Sequence, residues 1–119
     1  MLKNYLFILN ISLLILHEMD AIRRKEWKLF VILKEMKDET AYLVFSLVHL
    51  PLCIIILYFI MNTGNRYYYL FTLIVNIFLV FHGGIHLFFR NKSNNQFRGA
   101  YSYAIIFGMS VIAALQLAL

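Results

Sequence analysis

Long apolar runs alternate with short polar breaks along this chain, and their lengths carry the first inference. Four windows, Tyr5–Ile22, Thr40–Met61, Tyr67–Phe89 and Gly99–Leu119, are mostly apolar. A helix needs about 20 such residues to cross the hydrocarbon of a bilayer. The breaks are Arg23 to Glu39, Asn62 to Arg66 and Arg90 to Arg98. Both short breaks carry Asn with Gly or Ser, residues that favour turns. No apolar run alternates with a period of two, which disfavours a β-barrel. The pattern predicts an all-α, integral membrane four-helix bundle: one domain, residues 1–119, with spans at about 5–22, 40–61, 67–89 and 99–119. Within the first break, Trp27, Phe30 and Val31 recur at helical spacing among lysines. That spacing predicts a short amphipathic helix from Arg23 to Lys37, lying on the membrane surface.

Composition agrees. Of 119 residues, 62% are hydrophobic and 14% charged, too apolar for a water-soluble core of this size. The net charge of +5 would raise nucleic-acid binding in a soluble protein. Here the basic residues flank apolar spans, so no nucleic-acid partner is expected. Arg23, Arg24, Lys25, Lys28, Lys34 and Lys37 lie in the first break, and Arg90, Lys92 and Arg98 in the third; only Lys3 and Arg66 oppose them. The positive-inside rule places loops one and three in the cytoplasm and both termini outside. His17-Glu18-Met19-Asp20 follows the first apolar stretch without a small-x-small cleavage pattern, so that span is expected to stay in place. The lone Cys53 excludes an internal disulfide and Cys-x-x-Cys chemistry, and reads as a packing residue.

The spans hold groups that a bilayer tolerates poorly. His17, Glu18 and Asp20 end the first span, and His49 lies two residues before Pro51 in the second. His82 and His86 share a face of the third, with Gly83-Gly84 between them permitting close helix approach. A charged side chain within the hydrocarbon costs a few kcal/mol unless it is paired or wet. Measured from the cytoplasmic ends at about 1.5 Å per residue, His17 is about 9 Å deep, Asp20 about 5 Å, His82 about 12 Å, His86 about 6 Å and His49 about 14 Å. All four histidines therefore fall in one leaflet, from three helices. Imidazoles of this kind bind Zn or Fe, and a nearby carboxylate can complete the shell or act as general base. His17, His49, His82 and His86 are the candidate metal ligands. Glu18 and Asp20 are the candidate catalytic acids or bases, Asp20 favoured for contact with the metal because it shares a face with His17. Ser102 can reach the same layer from the fourth span. Taken singly, His49 also reads as a helix–helix hydrogen-bonding residue, and Asp20 as an ion pair with Arg23 and Arg24.

The motifs His17-Glu18-Met19-Asp20-Ala21, Glu26-Trp27, Asp38-Glu39-Thr40-Ala41-Tyr42, His49-Leu50-Pro51-Leu52 and His82-Gly83-Gly84-Ile85-His86 occur together. In that combination the chain resembles a family of small bacterial four-helix membrane proteins of unknown function. The resemblance runs from about Leu2 to the last span. It implies a bacterial cytoplasmic-membrane protein, lends no activity, and draws Glu26, Trp27, Glu39 and Tyr42 into the surroundings of the site. In chemistry alone, the set is similar to zinc-dependent membrane amidases of the alkaline ceramidase type, which have seven spans.

Three functions compete. The first is a metal site serving hydrolysis or isomerisation of a lipid-like substrate. The second is haem-based electron transfer, with histidines of two helices as axial ligands. The third is a non-enzymatic small transporter or accessory subunit. Whether the chain is an enzyme is left open by these residues, as is assembly into a homo-oligomer; membrane lipids are the expected surroundings. No Gly-rich phosphate loop or serine nucleophile motif is present. The topology is testable with Cys53→Ser as background. Ser93→Cys should resist a membrane-impermeant maleimide in intact cells and react after lysis, whereas Thr63→Cys should react in intact cells.

Overall fold

The computed structural model describes residues 1–119 as four helices: α1 (Leu2–Arg23), α2 (Asp38–Met61), α3 (Tyr68–Phe89) and α4 (Ala100–Ala118). All four are long and apolar enough to cross a membrane. On α1 the buried positions are Phe7, Asn10, Ile11, Leu14, His17, Asp20 and Ala21, a stripe at three- and four-residue steps. A matching stripe on α4 comprises Ser102, Ile105, Ile106, Met109, Ala113 and Gln116. These stripes make α4 the central helix, packed against both α1 and α3. By contrast, α2 buries only Ala41, Phe45 and Ile56 and stands to one side. Leu47, Val48, Leu50, Ile54 and Ile55 on α2 are exposed, an apolar surface suited to lipid and not to water. Pro51 lies inside α2 without ending it.

Two apolar clusters hold the bundle. Phe7, Ile11, Leu14, Ile56, Phe71, Leu79, Met109 and Ala113 form one; Ala21, Trp27, Leu29, Ala41, Phe45, Phe97 and Ile106 form the other. On α1, His17 falls on the shared face between Leu14 of the first cluster and Ala21 of the second. The polar groups of the site therefore occupy a layer sandwiched between apolar ones.

The first loop departs from the expected surface helix. α1 stops at Arg23, and Lys25 adopts a left-handed conformation (φ 51°) just past its end. Left-handed residues commonly terminate helices, at a cost of roughly 1–2 kcal/mol when they are not glycine. Two short 3₁₀ turns follow, Glu26–Leu29 and Leu33–Glu35. Burial explains the difference: Trp27 and Leu29 turn into the lower core instead of facing a membrane surface. The Lys25 ammonium donates to Asp38 Oδ2 at 2.6 Å and Trp27 Nε1 to Asp38 Oδ1 at 3.4 Å, tying this turn to the start of α2.

Of the paired glycines, Gly83 is the one at a close approach. A Cβ there would fall on Ser110 Oγ and within 3.0 Å of Ser110 Cβ, whereas Gly84 faces open space. Ser110 Oγ donates across the same contact to the Leu79 carbonyl at 3.0 Å, joining α4 to α3. Gly83→Ala should therefore destabilise the bundle by about 1–3 kcal/mol through overpacking. Gly84→Ala should be neutral or stabilising by up to about 1 kcal/mol, because it removes a helix-interior glycine. Reversible unfolding in mixed micelles checks both; equal effects at the two positions would contradict this packing.

Candidate metal centre

The buried stripe of α1 presents His17 to the interior, fully shielded from solvent. One helical turn apart on α3, His82 and His86 face it, with ring centroids 4.8 Å and 5.3 Å from that of His17. The left-handed turn at Lys25 then folds the chain back beneath α1 and carries Glu26 to the same point. Glu26 is 3% exposed. Its Oε1 lies 3.1 Å from His86 Nε2, 3.5 Å from His82 Nε2 and 3.8 Å from His17 Nε2. His17 and His82 bring their Nε2 atoms to 2.8 Å. One ligand-type atom from each of the four residues lies within 4.8 Å of the others.

A carboxylate so enclosed needs compensation. Burial pushes the Glu26 carboxyl up, but the His17 and His86 imidazoles at its edge favour its charged form and outweigh burial, holding Glu26 well below the usual carboxylate range. Two imidazole Nε2 atoms at 2.8 Å also constrain each other, since one of them must be without its proton. Nδ1 of His17 and of His86 is buried without a hydrogen-bond partner in the protein.

Phe97 closes the layer from loop three. It is fully buried, with ring centroids 4.5 Å from His86 and 5.7 Å from His17. Asn95 fixes it there: its Oδ1 accepts the Phe97 N–H at 2.9 Å, and its Nδ2 donates to the Phe89 carbonyl at 3.1 Å. His82 is the least enclosed of the three histidines, its side chain 11% exposed beside Phe78.

The other candidates lie elsewhere. His49 is not in the cluster; it pairs with Glu18 across the α1–α2 boundary at 2.9 Å. Asp20 is buried at the end of α1, its Oδ1 2.7 Å from Arg23 Nη2 and 4.0 Å from Arg24 Nε. Glu39 is exposed, and Tyr42 is 40% exposed with its ring 6.0 Å from Trp27. Ser102 is fully buried, its Oγ without a partner. Periodicity gives no reason to single out Glu26 in the charged run Arg23-Arg24-Lys25-Glu26-Trp27-Lys28; only the Glu-Trp motif of the family resemblance marks it. Nothing in the sequence flags Phe97 or Asn95, beyond a lone aromatic in a polar loop.

No curated protein and no solved structure matches the chain. The motifs quoted above do correspond to a family: the chain belongs to the one described as "Family of unknown function (DUF6713)", which matches it over residues 3–119.

Proposed function

We propose that the protein is an integral membrane metalloprotein that binds one divalent ion, Zn or Fe, through His17, His82, His86 and Glu26. The convergence of three imidazole nitrogens and one carboxylate oxygen carries the reading. Four donors placed tetrahedrally at about 2.0–2.1 Å from an ion stand about 3.3 Å from one another. Of the six separations, four are 2.8, 3.1, 3.5 and 3.8 Å, on either side of that edge, and all six are within 4.8 Å. Three imidazoles with a carboxylate suit Zn or Fe(II) as donors. Haem fits less well. Its axial nitrogens oppose each other across a ring plane, whereas here three nitrogens and an oxygen crowd around one point.

The basic residues of loops one and three support a cytoplasmic placement of both loops, which puts the centre in the inner leaflet. When bound, the ion supplies Lewis acidity and lowers the pKa of a coordinated water. Were Glu26 to release the ion and act as base, the three histidines would hold it and leave a fourth position for water or substrate. Phe97 and the two apolar clusters exclude bulk water, and His82 is the one imidazole of the three with part of its side chain exposed. This arrangement supports hydrolysis or isomerisation of a lipid-like molecule entering from the bilayer. Elemental analysis of purified protein should find one Zn or Fe per chain. His17→Ala, His82→Ala, His86→Ala and Glu26→Ala should each fall to near background, while His49→Ala and Asp20→Asn keep the metal. Wild-type protein that stays empty after Zn and Fe supplementation, or His49→Ala losing metal as the others do, would contradict the assignment.

A further inference from the structure

A second polar pair lies outside the metal centre. Between α1 and α2 runs an apolar cleft of about 150 Å³, lined by Ile11, Leu14, Ile15, Leu52, Ile56 and Leu57, with Cys53 on its wall. Glu18 and His49 line it as well. An apolar cavity of about this volume holds a six-carbon ring. The helices run antiparallel, so Glu18 and His49 mark one end, and Ile11, Ile56 and Leu57 the other. Seven residues of α1 separate the ends, about 10 Å.

One backbone contact orients the pair. His49 Nδ1 lies 2.6 Å from the Phe45 carbonyl oxygen, which can only accept, so Nδ1 donates there and Nε2 faces Glu18. Nε2 stands 2.9 Å from Glu18 Oε2. Glu18 Oε1 makes no hydrogen bond within the protein. Both side chains are 27% exposed, so that oxygen is open to a ligand.

We propose that the α1–α2 cleft binds the acyl chain of a single-chain lipid with an uncharged hydroxyl-bearing head, that hydroxyl donating to Glu18 Oε1. The polarity gradient selects this occupant. Its polar end lies toward the loop-one end of α1 and its apolar end toward mid-membrane, the same sense in which a lipid of that leaflet is oriented. Glu18 Oε1 offers an acceptor, which an anionic head cannot use, and a quaternary ammonium has no hydrogen to donate to it. The assignment rests on the metalloprotein reading for calling this lipid a substrate, but chain binding in the cleft needs no metal.

The test uses the full chain in vesicles and a monoacylglycerol with a diazirine in its acyl chain. After irradiation, cross-links are mapped by peptide mass spectrometry, with and without excess 1-lauroylglycerol. Labelling of Leu52, Cys53, Ile56 and Leu57 should fall severalfold on competition, while the lipid-facing Leu47 and Ile54 change little. Dodecyltrimethylammonium should not compete. Glu18→Leu should abolish the competition, and Glu18→Gln should retain it, because the amide can donate to His49 and still accept from the hydroxyl. Leu57→Trp, which fills the cleft from its exposed side, should abolish it without touching the polar pair. Competition equal at Leu47 and Ile54, or unchanged in both Glu18→Leu and Leu57→Trp, overturns the proposal. Metal content is measured on the same samples. Competition in metal-free protein would sink the metal centre alone, and loaded protein without competition would sink the cleft alone.

Discussion

A carboxylate enclosed between apolar layers is the constraint around which this small bundle is arranged. Removing an anion from water costs several kcal/mol even after a protein relaxes around it. Glu26 is almost fully enclosed, so the chain must surround it with groups that favour its negative charge. Three imidazoles do so, one from α1 and two from α3. Those imidazoles fix the rotation of both helices, because turning either by one residue would swing a histidine away and strand the carboxylate. The same requirement explains the abrupt end of α1. A left-handed Lys25 is unfavourable locally, but it folds the chain so that Glu26 and Trp27 enter the interior together.

Around that layer, packing and polarity are divided cleanly. Apolar clusters above and below keep water out, and Phe97, pinned by Asn95, covers the histidines from the third loop. The close passage of α4 over Gly83, tied by Ser110 to the Leu79 carbonyl, sets the depth at which α3 offers His82 and His86. α2 contributes little to this core. Its role lies on the far side of α1, where Glu18 and His49 face each other beside an apolar cleft. Thus α1 presents adjacent residues to two polar contacts: His17 points inward to the cluster, and Glu18, about 100° around the helix, points to α2.

Much of the fold was legible because apolar runs of spanning length admit few alternatives. The windows read from hydropathy and the four helices agree to within a few residues. Level along each helix was legible too, since it follows from counting residues at a fixed rise, and His17, His82 and His86 do meet at one level of the bundle. Azimuth was not. His49 lies at a similar depth, yet it faces Glu18, and no arithmetic along one helix reveals which neighbour a face meets. The loop resisted reading for another reason. Trp27, Phe30 and Val31 have helical spacing, but the turn at Lys25 carries no Gly or Asn to announce it, and burial of Trp27 decides the outcome. Glu26 was visible only through a family motif, because a carboxylate in a basic run ordinarily sits in solvent.

The claim on which the functional account turns is that three imidazoles and one carboxylate bind a single ion. X-ray absorption at the metal edge of the loaded protein addresses it directly. The account predicts nitrogen and oxygen donors at about 2.0–2.1 Å, with the outer-shell scattering of three imidazole rings, unchanged in His49→Ala. A spectrum with no imidazole scattering, or one that loses a ring in His49→Ala, would contradict it.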